Sequence, residues 1–220
     1  MRIERFTTMA TENIYLLTDP AEKRAVIIDP GAPSPSLEDR VRDEGLTIEG
    51  ILLTHGHADH FGGADHYRTL YGAPIWASEK EKDLLLDPEM NVSLAFMGRA
   101  MSLTCDHYFK EGDRVTSFDL EVLETPGHTG GSVCFRGQNF LFTGDTLFQG
   151  SCGRWDLPTG GMHTLFRSLG RLFRLEGDYW ILPGHGPETR LSIEKATSPI
   201  MDYVIMQEDR DRKQGKEKES

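Results

Sequence analysis

Long apolar runs are missing from this chain. Its longest, such as Ile51-Leu52-Leu53 and Phe140-Leu141-Phe142, fall far short of the about 20 residues that cross a bilayer, so no transmembrane helix is expected. Cysteine is scarce: Cys105, Cys134 and Cys152 are odd in number and show no C-x-x-C spacing, which excludes a disulfide framework and fits a reducing compartment. Positive charge is also short. Against 35 Asp and Glu stand 24 Lys and Arg, a net charge of −11, which argues against affinity gained by neutralising nucleic-acid phosphates or anionic lipid. No apolar run follows Arg2, Glu4 and Arg5 in the first ten residues, so a secretory signal is not expected and the cytoplasm is.

What is present is the composition of a loop-rich globular protein, with 23 glycines and 11 prolines in 220 residues. That length allows one large domain, here residues 1–206, and the polar stretch from Gln207 to Ser220 reads as a charged, disordered tail. Asn13 to Thr18 and Ala25 to Asp29 read as a hairpin around Asp19-Pro20. A short helix fits after Ser36 as far as Gly45, then a buried strand from Ile48 to Thr54, a helical stretch from Gly62 to Tyr71, and a short strand from Pro74 to Ala77. Ser78 with Glu81 three residues on has the form of a capping box opening a helix that stops at Asp87-Pro88. Met90 to Cys105 shows no period and reads as irregular packing or a flap. The second half repeats the grammar: strands at Phe118 to Thr125, Ser132 to Phe135, Phe140 to Thr143 and Tyr179 to Leu182. A helix carries the stripe Leu165, Phe166, Leu169, Leu172 and Phe173 and ends by Gly177. Strands alternate with helices, so the class is mixed α/β.

The chemistry gathers at Thr54-His55-Gly56-His57-Ala58-Asp59-His60, directly after an apolar strand. Three histidines and an aspartate stand within six residues, in a chain with only eight histidines; a chance polar loop is the poorer account. Period 2 aims His55 and His57 the same way, and a turn into a helix brings Asp59 and His60 around a second point. Imidazole and carboxylate without cysteine suit divalent zinc or iron. Three more donors follow strands through a glycine: His128 after Pro126-Gly127, Asp145 after Gly144, and His185 after Pro183-Gly184. Strand C-terminal ends are where sites form in open α/β sheets, and seven donors suit two metals sharing a bridge.

The order His55-x-His57-x-Asp59-His60, His128, Asp145, His185 resembles the metallo-β-lactamase fold superfamily. Thr125-Pro126-Gly127-His128-Thr129, Thr143-Gly144-Asp145-Thr146-Leu147-Phe148, Gly153-Arg154-x-Asp156-Leu157-Pro158 and Pro183-Gly184-His185-Gly186-Pro187 are similar to its short glyoxalase II-like branch. The resemblance covers about residues 1–206. It implies an αββα sandwich of two mixed sheets flanked by helices. It also implies a first metal held by His55, His57 and His128, a second by Asp59, His60 and His185, and Asp145 bridging both. Two divalent ions follow, zinc first and iron or manganese as alternatives. A metal-bridging hydroxide would then attack a thioester carbonyl such as that of S-acylglutathione, with Asp59 and Asp145 as the catalytic carboxylates. The cysteines are then non-catalytic.

Arg154 and Asp156 either touch substrate or brace their loop as an ion pair. His163 reads as a helix-start residue, and His66 and His107 as surface or packing residues. Full-length glyoxalase II proteins grip glutathione through a C-terminal helical region that is reduced here to a short helix and a tail, so another thiol carrier or a small ester, a lactone included, stays open. Cys152-Gly153-Arg154-Trp155-Asp156 partly matches the loop of persulfide dioxygenases, which share the fold and use one iron at the positions of His55, His128 and Asp145. That is the alternative function.

Overall fold

Alternation decides which way each strand side chain points, and here both sides of the central strands are dry. The computed structural model describes residues 1–7 and 12–218. In β2 (Asn13–Asp19) and β3 (Arg24–Ile28), Ile14, Leu16, Ala25 and Ile27 face one apolar cluster while Tyr15, Leu17, Val26 and Ile28 face another. Strands buried on both faces read as unbroken apolar runs, which is how they appear in the sequence. With β1 (Arg2–Thr7), β4 (Thr47–Leu52), β5 (Ile75–Ser78) and β6 (His107–Phe109) they form one six-stranded sheet in chain order, antiparallel from β1 to β3 and parallel from β3 to β6.

The second sheet holds β7 (Arg114–Val115), β8 (Leu120–Glu124), β9 (Val133–Arg136), β10 (Phe140–Gly144), β11 (Trp180–Pro183) and β12 (Thr189–Arg190). It is antiparallel except between β10 and β11. β9 therefore runs against both its neighbours, and β8, β10 and β11 all run the same way. Their C-terminal ends share one edge. Phe135 and Phe142 of this sheet pack on Tyr15 and Leu52 of the first to make the middle layer.

Helices cover both outer faces. α1 (Pro35–Glu44), α2 (Ala58–Phe61) and α3 (Ala64–Tyr71) lie on the first sheet through Leu37, Val41, Phe61 and Tyr67; α5 (Met162–Phe173) and α7 (Ile200–Lys218) cover the second through Leu165, Leu169, Ile200 and Val204. Between them come the short α4 (Lys82–Leu86) and α6 (Leu191–Thr197). The result is the αββα sandwich of two mixed sheets. Among the described residues no helix is long and apolar enough to cross a membrane.

Four local expectations are revised or narrowed. The cap of α1 is Ser34, whose hydroxyl accepts from Leu37 N, because Pro35 suits the first helical turn. The helix read from Gly62 to Tyr71 starts at Ala64, and a separate short helix, Ala58–Phe61, ends before Gly62-Gly63. Of the two readings of Met90 to Cys105, irregular packing is the one seen: buried Asn91 donates to the carbonyls of Leu85 and Met101, Ser93 Oγ accepts from Met101 N, and a π-helical turn spans Ser93–Met97. The fourth is the disordered tail expected from Gln207.

In place of a solvated tail, α7 continues to Lys218, and residues 219–220 lie outside the described residues. Gln207 is buried and its side chain meets His163 at 2.7 Å, Asp211 pairs with Arg167, and Glu208 pairs with Arg174. The polar stretch is thus the end of a helix that docks by one face. Deleting residues 207–220 is expected to lower the melting temperature by a few degrees, since about 1 kcal/mol moves a chain of this size by about 2–4 °C. An unchanged melt would return the segment to the status of a tail.

Candidate metal centre

Each donor sits where a strand of the shared edge runs out. His55 and His57 follow β4, with Asp59 and His60 on α2; His128 follows β8, Asp145 follows β10 and His185 follows β11. The structure brings all seven together. His57 Nδ1 lies 2.9 Å from His128 Nε2, which lies 3.2 Å from His55 Nε2. His60 Nε2 lies 3.3 Å from His185 Nε2, which is 3.2 Å from Asp59 Oδ2. Between these two triads stands Asp145, with Oδ1 3.4 Å from His60 Nε2 and Oδ2 3.4 Å from His128 Nε2 and 3.7 Å from His185 Nε2.

Hydrogen-bond partners decide which ring nitrogens carry protons. The Thr54 hydroxyl spends its proton on Asp29 Oδ2 at 2.6 Å, so at His55 Nδ1, 3.1 Å away, it accepts. His128 Nδ1 faces the Arg154 carbonyl at 2.7 Å and donates. In the neutral rings the Nε2 atoms are therefore bare lone pairs facing each other, an arrangement that a cation among them relieves, as would a proton on His57 Nδ1 2.9 Å from His128 Nε2. His60 Nδ1 likewise donates to Asp29 Oδ2 at 3.1 Å, which turns its Nε2 toward His185. An ion about 2.0–2.1 Å from imidazole nitrogens in tetrahedral geometry spaces them about 3.3 Å apart, close to the distances in the first triad. Asp145 Oδ1 is buried with no hydrogen-bond partner among the described residues, a further atom that fits a metal.

The charges agree. Burial and the neighbouring imidazoles hold His55 far below the ordinary histidine range, and burial with His128 takes His57 down to about 3, so both are neutral ligands at neutral pH. Burial would lower His60 and raise Asp145, but their mutual attraction reverses both shifts: the imidazole is held well above its usual range and the carboxyl well below. A proton on His60 thus answers the same negative charge that a dication would. His185 is raised by Asp59 and Asp145 against its burial. His55, His57, His60 and His128 are buried while Asp59 and His185 are half-open, so access is from the second triad.

Arg154 and Asp156 form a two-bond ion pair, at 2.7 and 2.8 Å, on the exposed loop that supplies the carbonyl under His128. His66 pairs with Glu38, His107 lies against Trp76, and His163 bonds Gln207, so none joins the cluster. Burial pushes Cys105 up to about 12 and Cys134 and Cys152 to about 11, leaving them protonated. Among the buried acids that the sequence reading passed over, two hold the ligand loops. Asp29 ends an apolar strand before Pro30-Gly31, the same strand-then-turn signal that marked the ligands; Glu81 was absorbed into a capping box.

Residues 8–185 match the metallo-beta-lactamase superfamily. The chain belongs to the metallo-beta-lactamase superfamily. It carries a His/Asp cluster that fits a dinuclear metal site. It is 35% identical to the hydroxyacylglutathione hydrolase GloC of Haemophilus influenzae over 201 residues, 88% of this chain and 94% of that one. Among solved structures it is similar to the BLEG-1 B3 metallo-beta-lactamase, with a TM-score of 0.85 and 34% identity over 90% of this chain and 99% of that one. It is also similar to TTHA1623 in a di-iron-bound form, with a TM-score of 0.78, 33% identity and the same coverage.

Proposed function

We propose that this metallo-hydrolase superfamily member cleaves small-molecule thioesters, S-acylglutathione among them, in the cytoplasm, with two zinc ions as its working metals. Nucleic acid and membranes have no part in this reading. The observation that carries it is the carboxylate of Asp145 facing nitrogens of both triads. The likeness to a hydroxyacylglutathione hydrolase over nearly the whole of both chains supports the substrate class. In this reading His55, His57 and His128 hold one ion, Asp59, His60 and His185 the other, and Asp145 both.

Bound divalent ions supply Lewis acidity and lower the pKa of water to about 7, which makes a nucleophile available near neutral pH without a protein base. The chain's own residues do the rest. Buried His55, His57 and His128 close the inner side to bulk water. Asp145 holds the two halves of the site in register, and its negative charge balances the cations. Asp59, the carboxylate at the open side with Oδ2 3.2 Å from His185 Nε2, would take the proton left on the added oxygen once it has joined the acyl carbon and pass it to the departing sulfur. Acyl-oxygen bond formation and carbon–sulfur cleavage then yield a carboxylate and a thiol, and no serine or cysteine nucleophile is required. The ion pair of Arg154 and Asp156 lies on the loop under His128, where it sets the shape of the substrate rim.

Metal content by mass spectrometry, paired with hydrolysis of S-lactoylglutathione, tests this directly. The expected result is about two zinc ions per chain and thioester cleavage that a chelator abolishes and zinc restores. About one iron per chain with oxygen uptake on glutathione persulfide would overturn the hydrolase reading and leave the fold standing.

A further inference from the structure

Glu81 has no part in the reaction as described, yet it is one of the most elaborately held acids in the molecule. A capping box would fold its side chain back onto the amide of Ser78. Ser78 does cap the turn at Glu79–Glu81, accepting from Lys80 N, but the Glu81 carboxylate runs inward and is 1% exposed. Its two oxygens part company there. Oε2 accepts from Gly56 N at 2.7 Å and Oε1 from Gly131 N at 2.7 Å.

These amides belong to the two loops that build the first triad. Gly56 separates His55 from His57 after β4 of one sheet, and Gly131 lies three residues beyond His128, between β8 and β9 of the other. Both positions need glycine for the approach. A Cβ on Gly131 would stand 2.5 Å from Oε1, and one on Gly56 would stand 3.0 Å from Oε2 and 2.6 Å from Leu84 Cδ2. The second triad is fixed by other groups. Asp29 holds His60, and the turn before His185 is held by Asn13, through its amide and side chain, and by the Tyr15 hydroxyl on Pro183 O.

We propose that Glu81 is a positioning residue for the first metal site: its carboxylate ties the His55–His57 loop of one sheet to the His128 loop of the other and sets that site's affinity independently of the second. The proposal rests on the metal assignment above and is indifferent to the substrate. His128 Nε2 stands 2.9 Å from His57 Nδ1 and 3.2 Å from His55 Nε2, one nitrogen on one loop against two on the other, and the three keep a tetrahedral face only while the loops keep their separation. Backing groups of this kind typically govern 10- to 100-fold in metal affinity. In Glu81→Gln the side chain keeps its size and one acceptor, but the amide NH₂ meets a backbone N–H and one of the two ties is lost.

The test is Co²⁺ binding to the full-length, metal-stripped chain in two backgrounds. His185→Ala leaves the first site intact and His57→Ala leaves the second. Affinity is read by competition with a chromophoric chelator and site geometry by the Co²⁺ absorption bands. Glu81→Gln is expected to weaken Co²⁺ about 10- to 100-fold and alter the bands in the His185→Ala background, with less than about a twofold change in the His57→Ala background. Glu81→Asp, which keeps the charge and loses the reach, is expected to behave like Glu81→Gln. Equal losses in both backgrounds would make Glu81 merely structural and overturn the proposal, as would no loss in the first. Glu81→Ala read by circular dichroism gives the folding cost separately. Failure of the unsubstituted chain to take up Co²⁺ would overturn the metal reading and this proposal with it; uptake that ignores Glu81 overturns this proposal alone.

Discussion

Alanine at position 145 is expected to cut thioester hydrolysis by about 10²- to 10³-fold, the scale on which losing one preorganised electrostatic group slows an enzyme, while the chain still folds. Among the described residues Asp145 is the only carboxylate whose oxygens face nitrogens from both triads. Removing it takes one negative charge from among five imidazoles and leaves the two halves of the site without a common ligand. The fold should survive because the Asp145 side chain holds up no backbone. Its Oδ1 has no hydrogen-bond partner among the described residues, and the local turn is kept by Gly153 N donating to the Asp145 carbonyl, which alanine retains. Asparagine keeps the size and loses the charge, so Asp145→Asn should fall nearly as far. The measurements are turnover of S-lactoylglutathione, metal per chain and far-UV circular dichroism on each variant. A folded variant with an unchanged rate would sink the proposed mechanism.

Why the ligands were legible and their supports were not follows from distance along the chain. His55, His57, Asp59 and His60 lie within six residues, and His128, Asp145 and His185 each follow an apolar strand and a glycine, so short-range pattern finds them. Asp29 reaches Thr54 25 residues on, and Glu81 reaches Gly131 50 residues on; no local window holds both ends of such a bond. The capping box shows the same limit from the other side. Its serine behaves as local rules require, while its glutamate is taken by a tertiary partner. The central strands were legible because being dry on both faces makes them continuous apolar runs, whereas β1 and β6, at the sheet's edges, are short or half-exposed and leave little pattern. In α7 the docking face runs through Ile200, Val204, Gln207 and Asp211, helically spaced, but its last two members are polar and contact α5 by hydrogen bonds. A composition reading counts them as solvated.

Asp29→Asn is the second substitution from which a large effect is expected, because one carboxylate sets the protonation of rings in both triads. Asp29 Oδ2 takes the proton of the Thr54 hydroxyl and faces Nδ1 of His60; Oδ1 accepts from Thr54 N at 2.7 Å. Through Thr54 it fixes His55 with Nε2 bare, and directly it fixes His60 the same way. In asparagine an NH₂ donor replaces one of these acceptors. If it takes the place of Oδ2, the Thr54 hydroxyl must turn, His55 loses the acceptor at Nδ1, and the neutral His60 ring gains most by moving its proton to Nε2, the atom that should bind metal. The backbone tolerates the change: Asp29 sits at φ 51°, in the left-handed region that asparagine and aspartate enter more readily than other non-glycine residues. The expected loss is about 10- to 100-fold in metal affinity at each site, and the two losses multiply in an activity that needs both ions. Asp29→Ala should do this and also destabilise the fold, because it leaves the buried Thr54 amide unpaired, at a cost of about 1–3 kcal/mol, and places a less suited residue at positive φ. Metal titration, together with thermal melts of the stripped chains, separates the two substitutions. If Asp29→Asn binds two metals as tightly as the unsubstituted chain, histidine protonation here is set by the metals themselves and the relay through Asp29 and Thr54 is not what prepares the site.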